Sequence, residues 1–388
     1  MLKSLEITNF RLLESFQVAK LGRVNLIVGK NNSGKSSVLE AIRIYAGNAQ
    51  RGLLEEIAAA HDEKFRLRES EPSDPEKQFP FEDFFAGRKF PPGEGPGITI
   101  GETGEDANLL RIEYGLLLET EEIETDLLGT QETSTRIRRQ RIPRLAAKNS
   151  DTGTVRPALF IGKGERWTTI LLDSLSPRYR VTPIEASGTV SCSVIPTQFV
   201  SVDELADEWD TIVFTEYQEV VKQALQIISP DFEDLTFVRI DDGTSPTRRE
   251  LRRSAKVKMS YMPRPVPLNS LGDGMLRVLQ LVLRVFRAKD GFLLIDEFEN
   301  GLHFSVQEKI WALLFNLAQE LNIQIFATTH SWDCIESFVR TAIARRDIEG
   351  VLLRVGTSVR KSDSGRVIAT IFEGQALSNI TQADVEVR

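Results

Sequence analysis

Hydrophobic and polar positions along the chain follow the periods of strands and helices. Residues 2–7 alternate apolar and polar side chains, as a half-buried strand does, and residues 24–28 form an apolar run that stops at Gly29. Residues 36–45 and 53–67 space their apolar positions at the helical period. The pattern therefore predicts strands, a loop and then two helices in this region.

The final third of the chain shows both periods in regular order. We predict alternating helices and strands, with helices at 274–287, 306–321 and 331–344 and strands at 292–295, 323–327, 351–355 and 367–372. Such alternation is typical of a parallel sheet wrapped by helices.

The middle of the chain follows a weaker pattern, because prolines and glycines interrupt residues 69–104. Beyond them we predict one helix, at 204–228, and several strands. The predicted strands are at 98–119, 155–172, 194–200, 237–240 and 257–262. We therefore expect an α/β fold in which residues 1–68 and 263–388 form a discontinuous core. Residues 69–262 would form an inserted α+β lobe.

The phosphate-loop pattern G-x-x-x-x-G-K-[ST] is matched by GKNNSGKS at residues 29–36, between a predicted strand and a predicted helix. In such a loop, backbone N–H groups and the helix N-terminus surround a phosphate chain. Lys35 would reach the β- and γ-phosphates, and Ser36 would hold Mg²⁺. A plain turn with an exposed lysine is the alternative. The candidate phosphate-binding residues are Gly29, Asn31, Asn32, Ser33, Gly34, Lys35, Ser36 and Ser37.

Two acids end the apolar run FLLIDE at residues 292–297. Because ligands of open α/β sheets bind at the carboxyl ends of the strands, Asp296 is predicted on the Mg²⁺ side of a nucleotide. Glu297 fits a base that orients and deprotonates an attacking water. For this segment taken alone, the alternative is two acids that are merely exposed where a strand ends.

His330 follows the next apolar run, in FATTHS at residues 326–331, so we expect it at the same edge of the sheet. Its imidazole would contact the γ-phosphate or the attacking water. A structural histidine is the alternative.

Composition narrows the class of protein. Of 388 residues, 41% are hydrophobic and 27% are charged, which favours a folded chain. The net charge of −8 excludes a protein that coats nucleic acid over its whole surface, but it allows a local basic patch. The two cysteines are far apart in sequence and no long apolar run exists, so we expect a cytoplasmic protein without a zinc site, a disulfide framework or a membrane span.

Two basic clusters follow an acidic stretch, residues 69–126, which has 16 acids against 4 bases. Their arginines would bind the phosphates of double-stranded DNA. The alternatives are a solvated face, or a dock for an acidic partner such as the acidic stretch of a neighbouring subunit. The candidate residues are Arg136, Arg138, Arg139 and Arg141 in the first cluster and Arg248, Arg249, Arg252 and Arg253 in the second.

Together these segments resemble the ABC-type ATPases of the Rad50/SMC/RecF group, and in particular the OLD-like ATPases of anti-phage defence. Residues 1–50 and 263–388 carry the resemblance, and the middle is covered loosely. The matching motifs are ITNFR (7–11), the phosphate loop, LGDGM (271–275), DEFENGLH (296–303) and THS (329–331). The resemblance implies an ABC-type P-loop ATPase head with a mixed or parallel central sheet that uses ATP and Mg²⁺.

The family also implies a mechanism in which two heads enclose two ATP molecules. A signature loop, here Ser270, Gly272, Asp273 and Gly274, would cap the γ-phosphate held by the other head. Gly272 stands where serine is usual, so either Ser270 supplies the hydroxyl or the backbone amides act alone.

Other positions depart from the family pattern or have no secure match. In the D-loop segment the candidates are Asn300 and His303, and His303 replaces the aspartate of many ABC proteins. Gln78 is a Q-loop candidate and Arg11 is a candidate for nucleotide contact. An exposed loop glutamine and a surface arginine are the respective alternatives.

The resemblance implies an ATP-hydrolysing subunit that forms a homodimer or higher oligomer and controls a separate effector, a nuclease or a toxin. The segment after His330 is too short for the Toprim nuclease domain of full-length OLD nucleases, so we expect a standalone subunit. A RecF-like repair ATPase and an ATP-bound scaffold that sequesters a toxic partner are the alternatives. The ENGLH segment argues against the first alternative, and Glu297 favours turnover.

Overall fold

The structure, a computed structural model, describes most of the chain. The described residues are 1–63, 81–92, 95–124, 134–143, 153–173, 188–240, 252–358, 360, 365–374 and 376–377. For residues 121–124, 134–136, 240 and 252 only the backbone is described.

The described residues contain β-strands and α-helices. In chain order they are β1 (Leu5–Phe10), β2 (Leu13–Val18), β3 (Val24–Val28), α1 (Lys35–Ala46), α2 (Arg51–Ala60), β4 (Ile98–Gly101), β5 (Leu110–Glu124), β6 (Ser134–Ile142), β7 (Thr154–Lys163), β8 (Arg166–Leu171), β9 (Cys192–Ile195), α3 (Val202–Ile212), α4 (Tyr217–Ile228), β10 (Phe232–Ile240), β11 (Arg252–Met259), β12 (Val266–Pro267), α5 (Asp273–Arg287), β13 (Phe292–Ile295), α6 (Phe304–Glu320), β14 (Gln324–Thr329), α7 (Trp332–Ala344), β15 (Gly350–Thr357) and β16 (Val367–Phe372).

The central sheet has the strand order β16-β15-β3-β14-β13-β9. Strand β16 runs antiparallel to β15, and the other five strands are parallel. The predicted α/β fold with a mixed central sheet is therefore confirmed. Because the strands are parallel, the carboxyl ends of β3, β9, β13 and β14 meet at one edge of the sheet.

Strands β3, β13 and β14 in the middle of the central sheet are buried on both faces, which explains why they are rich in apolar residues. In β13, Phe292 and Leu294 belong to the core shared with α1, α2 and the N-terminal strands. Leu293 and Ile295 point to the opposite core, formed with α4, α5, α6 and α7. Successive side chains thus alternate between two hydrophobic layers.

A second, antiparallel sheet joins the N-terminal hairpin to the middle of the chain. Its order is β2-β1-β4-β5-β7-β8, and β6 pairs with the remaining length of β5. Strand β9 also comes from the middle of the chain but lies in the central sheet beside β13. Both sheets draw strands from each side of the expected boundaries, and the division into 1–68 with 263–388 and 69–262 stays a prediction.

Local differences from the predicted elements have identifiable causes. The predicted helix at 204–228 is two helices, α3 and α4, because the chain turns at Phe214, which has a left-handed φ of 66°. The predicted strand at 194–200 ends at Ile195, since Pro196 has no N–H group to continue the ladder. Within the described residues, no helix is long and apolar enough to cross a membrane.

Gly291 offers a test of the packing between β9 and β13. An added Cβ would lie 1.9 Å from the carbonyl oxygen of Ser191, at the start of the strand pair. We expect Gly291→Ala to reduce the free energy of unfolding by about 1–3 kcal/mol, because the two backbones must separate. Chemical denaturation followed by circular dichroism measures the change.

Gly52→Ala is the matched control. Gly52 lies in α2, and an added Cβ there meets nothing within 4 Å. This substitution is expected to stabilise the protein by about 0.5–1 kcal/mol through helix propensity. Equal stability of the Gly291→Ala variant and the parent would contradict the close approach of the strands.

Candidate nucleotide-binding site

The loop between β3 and α1 has the backbone conformation that a phosphate-binding loop needs. Gly34 has a φ of 100°, and Asn32 has a φ of 61°. Gly29 is required by space, because an added Cβ would lie 2.2 Å from the carbonyl oxygen of Val355. The loop leads into α1 at Lys35, so the amides of residues 31–37 precede or begin a helix whose N-terminus favours anions.

Lys35 bends back over this loop. Its Nζ donates to the carbonyl oxygens of Gly29 at 2.8 Å and Lys30 at 2.9 Å. Burial lowers the pKa of Lys35, and the carboxylates of Asp296, Glu297 and Glu299 act in the opposite direction. The ammonium group therefore already lies in the field of the three acids.

Asp296 is held by hydroxyl groups from three segments. Thr328 Oγ1 donates to Asp296 Oδ1 at 2.6 Å, and Thr197 Oγ1 donates to Oδ2 at 3.2 Å. Ser36 Oγ lies 3.5 Å from Asp296 Oδ1. The structure thus brings together Ser36 and Asp296, which the sequence predicts as the metal-side pair.

Glu297 has a strained backbone. Its φ of 49° is left-handed, a conformation that costs a non-glycine residue about 1–2 kcal/mol. On one side its N–H donates to Thr328 Oγ1 at 2.9 Å. On the other side its carbonyl accepts from Arg277 Nη2 at 2.8 Å. The side chain is 38% exposed, so the carboxylate faces the open edge of the sheet.

Arg277 on α5 is the residue that sequence patterns missed most completely. It is fully buried, and its guanidinium donates to the carbonyl oxygens of Pro196, Asp296 and Glu297. Burial lowers the pKa of Arg277 to about 10, and the nearby carboxylates limit that shift. An arginine amid the apolar positions of a predicted helix is the one signal that marks it in the sequence.

His330 lies beside two carboxylates. Glu299 Oε1 accepts from the backbone N–H of His330 at 3.0 Å and lies 3.1 Å from its Nδ1. The Nδ1 atom is 3.9 Å from Glu297 Oε1, and the imidazole is 53% exposed. Glu299, only 12% exposed, is a third acid that the sequence analysis did not single out, although it follows in the same DEFE run.

The predicted signature residues lie at the start of α5. Gly272 precedes the helix with a φ of 93°, and Ser270 Oγ donates to the carbonyl oxygen of Pro267. Ser270, Gly272 and Asp273 are exposed, whereas Gly274 lies close to Gly301, with 3.3 Å between an added Cβ and the Gly301 oxygen. The loop therefore presents exposed amides, and its contact with a second copy stays a prediction.

The D-loop candidates make local contacts. Asn300 Nδ2 donates to the carbonyl oxygen of Thr197, and the Asn300 N–H donates to the carbonyl oxygen of Glu297 at 3.0 Å. His303 caps α6, where its Nδ1 accepts from the N–H of Ser305. A cross-subunit role for either residue remains untested.

Arg11 has carboxylate partners within the chain. Its Nε lies 2.8 Å from Glu40, and its Nη1 lies 2.8 Å from Glu63. The side chain is 9% exposed, so the alternative of a surface arginine is wrong. The guanidinium links the end of β1 to α1, and contact with a nucleotide stays a prediction.

Gln78 lies outside the described residues. Another glutamine, Gln198, is exposed three residues beyond the carboxyl end of β9, next to Thr197. Because β9 pairs in parallel with β13, this segment reaches the same edge as Asp296. In the sequence, this segment could be found from an apolar run followed by polar residues, the same pattern that predicts the position of Asp296.

Three arginines of the basic clusters are paired with acids of the same chain. Arg139 and Arg141 on β6 bind Glu119 and Glu113 on β5, at 2.8 and 2.6 Å. Arg253 lies 2.6 Å from Asp210. Arg138 is exposed on β6, only the backbones of Arg136 and Arg252 are described, and Arg248 and Arg249 lie outside the described residues.

The oxygen donors at the site suit Mg²⁺ brought by a nucleotide. Magnesium is usually bound by one or two carboxylates together with phosphates and water, and Ser36 with Asp296 fits that donor set. Among the described residues there is no cluster of three or more His, Cys, Asp or Glu that could hold a metal ion by itself.

Two protein-family models match the segments that build this site. Residues 1–95 match a family described as "AAA ATPase domain". Residues 231–333 match one described as "AAA domain, putative AbiEii toxin, Type IV TA system". The first segment contains the phosphate loop, and the second contains α5, Asp296, Glu297 and His330. These matches support an ABC-type ATPase.

A curated relative extends the likeness along the chain. It is an "ATP/GTP phosphatase" of Helicobacter pylori, 22% identical over 351 residues, which are 87% of this chain and 87% of that protein. A shorter match, 34% identical over 83 residues, joins 21% of this chain to 72% of an uncharacterized protein of Methanocaldococcus jannaschii.

Solved structures of SMC heads align over most of the chain. An SMC head bound to the C-terminal winged-helix domain of ScpA covers 97% of this chain and 99% of that chain, with 13% identity and a TM-score of 0.46. The SMC head of Thermotoga maritima covers 96% and 98%, with 15% identity and a TM-score of 0.40.

Arg277→Met tests the buried guanidinium. Three carbonyl oxygens lose a charged donor, so we expect the free energy of unfolding to fall by about 3 kcal/mol or more. Denaturant unfolding measures this change in the free energy of unfolding. Arg340→Met is the control, because the ion pairs of Arg340 within the described residues are exposed ones with Glu336 and Glu308, worth about 0–1 kcal/mol. Equal losses in the two variants would contradict the assigned contacts of Arg277.

Proposed function

We propose that this protein is an ATP-hydrolysing subunit that dimerises, or forms a higher oligomer, around ATP and controls a separate effector in anti-phage defence. The carrying observation is one sheet edge that holds a phosphate loop, a hydroxyl–carboxylate pair and an exposed carboxylate. Ser36 and Asp296 form the pair, and Glu297 is the exposed acid. The match to an AAA ATPase domain and the H. pylori ATP/GTP phosphatase support nucleotide hydrolysis.

The phosphate loop would bind the triphosphate through its amides. Lys35, now on the carbonyls of Gly29 and Lys30, would move its ammonium group to the β- and γ-phosphates. That exchange is favourable because a polyanion offers a charged partner in place of neutral carbonyls. Mg²⁺, held by Ser36 and Asp296, would neutralise phosphate charge.

Glu297 is proposed as the base for the attacking water. Its carboxylate is exposed at the edge while its backbone is fixed on both sides, which keeps the position of the carboxylate defined. His330 is proposed beside it, on the γ-phosphate or the water, and Glu299 holds the Nδ1 side of the imidazole.

The exposed signature loop supports the proposed dimerisation. Ser270, Gly272 and Asp273 offer a hydroxyl and backbone amides at the N-terminus of α5, a 15-residue helix. Such a terminus attracts the γ-phosphate held by a second copy. ATP would then favour the closed dimer because it binds that state better than the open one.

The effector is proposed to be a separate nuclease or toxin, as in the OLD-like systems that the motifs resemble. The cytoplasm is the proposed location. The ion pairs that Arg139, Arg141 and Arg253 form within the chain weaken the proposal that double-stranded DNA is a partner. These pairs already neutralise the three cations. ATPase assays with and without DNA decide this point, because a DNA-responsive enzyme would show a changed rate.

Lys35→Ala is expected to abolish ATP binding, because the loop loses its one cation directed at the β- and γ-phosphates. Equilibrium binding of a fluorescent ATP analogue measures the affinity. Lys309→Ala, on the exposed side of α6, is the control and should bind as the parent does. Unchanged affinity in Lys35→Ala would contradict the site.

Glu297→Gln is expected to retain ATP and to lower kcat by about 10²–10⁴-fold, because the amide keeps the shape of the side chain but cannot take a proton. The variant should also accumulate as an ATP-bound dimer in sedimentation velocity. Hydrolysis at the parental rate would show that another group is the base.

A further inference from the structure

One hydroxyl group is hydrogen-bonded to both of the residues that directly follow β13, Asp296 and Glu297. Thr328 is fully buried near the end of β14, and its Oγ1 donates to Asp296 Oδ1 at 2.6 Å. The same oxygen accepts from the backbone N–H of Glu297 at 2.9 Å. A threonine hydroxyl has one proton and two lone pairs, so it makes both bonds at once.

We propose that Thr328 is a positioning residue for ATP hydrolysis, which orients the Asp296 carboxylate and the Glu297 backbone together. The proposal rests on the proposed function, because it assigns Thr328 a role in that reaction. Thr328 is buried, and it would act on the reaction through the two acids to which it is hydrogen-bonded.

The strain at Glu297 makes the hydroxyl important. Left-handed φ at a residue other than glycine persists only where the surroundings hold it. Arg277 holds the carbonyl side of Glu297, and Thr328 holds the amide side. Loss of the hydroxyl leaves the Glu297 N–H without its acceptor. The Asp296–Glu297 peptide keeps the Arg277 contact at its carbonyl oxygen but loses a restraint, so the carboxylate can shift from its place.

Thr197 separates the two effects of Thr328. Its Oγ1 donates to the other oxygen of the same carboxylate, Asp296 Oδ2, at 3.2 Å. Within the described residues this hydroxyl makes no hydrogen bond to Glu297. Removing it should therefore disturb the metal-side acid alone, whereas removing the Thr328 hydroxyl should disturb both acids.

The experiment compares Thr328→Val, Thr328→Ser and Thr197→Val in the full chain. We expect Thr328→Val to lower kcat by about 10–100-fold and to raise the Mg²⁺ concentration needed for half-maximal activity by a similar factor. Thr328→Ser, which keeps the hydroxyl, should stay within about threefold of the parent in both quantities. Thr197→Val should raise the Mg²⁺ requirement and should lower kcat by a smaller factor than Thr328→Val does.

Thr341→Val is the control for loss of a buried hydroxyl. Thr341 is buried on α7, where its Oγ1 donates to the carbonyl oxygen of Ser337 at 2.9 Å, away from the site. Its kcat and Mg²⁺ requirement should match those of the parent. If Thr328→Val does not fold, Thr328→Ala repeats the test without the added methyl group.

Hydrogen exchange provides a readout that needs no activity. Without nucleotide, the peptide covering residues 292–300 should exchange faster in Thr328→Val than in the parent, because the Glu297 amide loses its acceptor. The Thr341→Val variant should exchange at the parental rate in that peptide.

The outcomes separate the two claims. Parental kcat and parental exchange in Thr328→Val, in a chain that Lys35→Ala inactivates, would overturn the role of Thr328 and leave the proposed function standing. Equal loss of kcat in Thr328→Val and Thr328→Ser would also overturn it, since the hydroxyl would then be irrelevant. A parent chain that hydrolyses no ATP would overturn both claims.

Discussion

The turn after β13 depends on one buried guanidinium, which donates its hydrogen bonds to backbone carbonyl oxygens. Arg277 donates to the carbonyl oxygens of Pro196, Asp296 and Glu297, and so joins the ends of β9 and β13 to helix α5. Hydrogen bonds from Nη1 and Nη2 to these carbonyl oxygens offset part of the cost of burying the guanidinium. These contacts keep Glu297 in a left-handed conformation and place its carboxylate at the exposed edge of the sheet.

The same arrangement relates the parts of the site to one another. Arg277 lies five positions beyond Gly272, so the predicted signature loop and the arginine both lie at the start of α5. A ligand that displaces the start of α5 would therefore act on the backbone of Glu297 through a single side chain. On the opposite side, Thr328 ties Glu297 to β14, the strand that ends beside His330. Arg277 and Thr328 therefore restrain the backbone of this one residue from two sides.

The parts of the site that the sequence predicts are local in the chain. The phosphate loop needs only eight consecutive residues, and Asp296 and Glu297 stand out as acids ending an apolar run. The missed residues gain their roles from distant partners. Thr328 lies in a continuous apolar strand, and Arg277 in an apolar helix. Neither spacing nor composition shows that they meet Asp296 and Glu297 across the sheet edge.

The middle of the chain shows the same limit. The order of its basic residues in the sequence predicts clusters that bind DNA phosphates. The register of β5 against β6, however, sets Arg139 opposite Glu119. That pairing depends on a hairpin register that no local pattern specifies. The position of β9 beside β13 is also non-local, since almost 100 residues separate the two strands and only tertiary packing brings them together. By contrast, β3 and α1 formed where the periodicity predicts them.

The central claim is that ATP is enclosed by the phosphate loop of one copy and the signature loop of another. Lys35→Ala removes the first, and Gly272→Asp burdens the second with a carboxylate and with the strain of a side chain at a φ of 93°. Each variant alone should be inactive. Mixed in equal amounts, they should recover about a quarter of the parental ATPase rate, because random two-fold pairs contain one intact composite site in half of the dimers. A mixture as inactive as its components, with a parent that turns over ATP, would contradict the shared site.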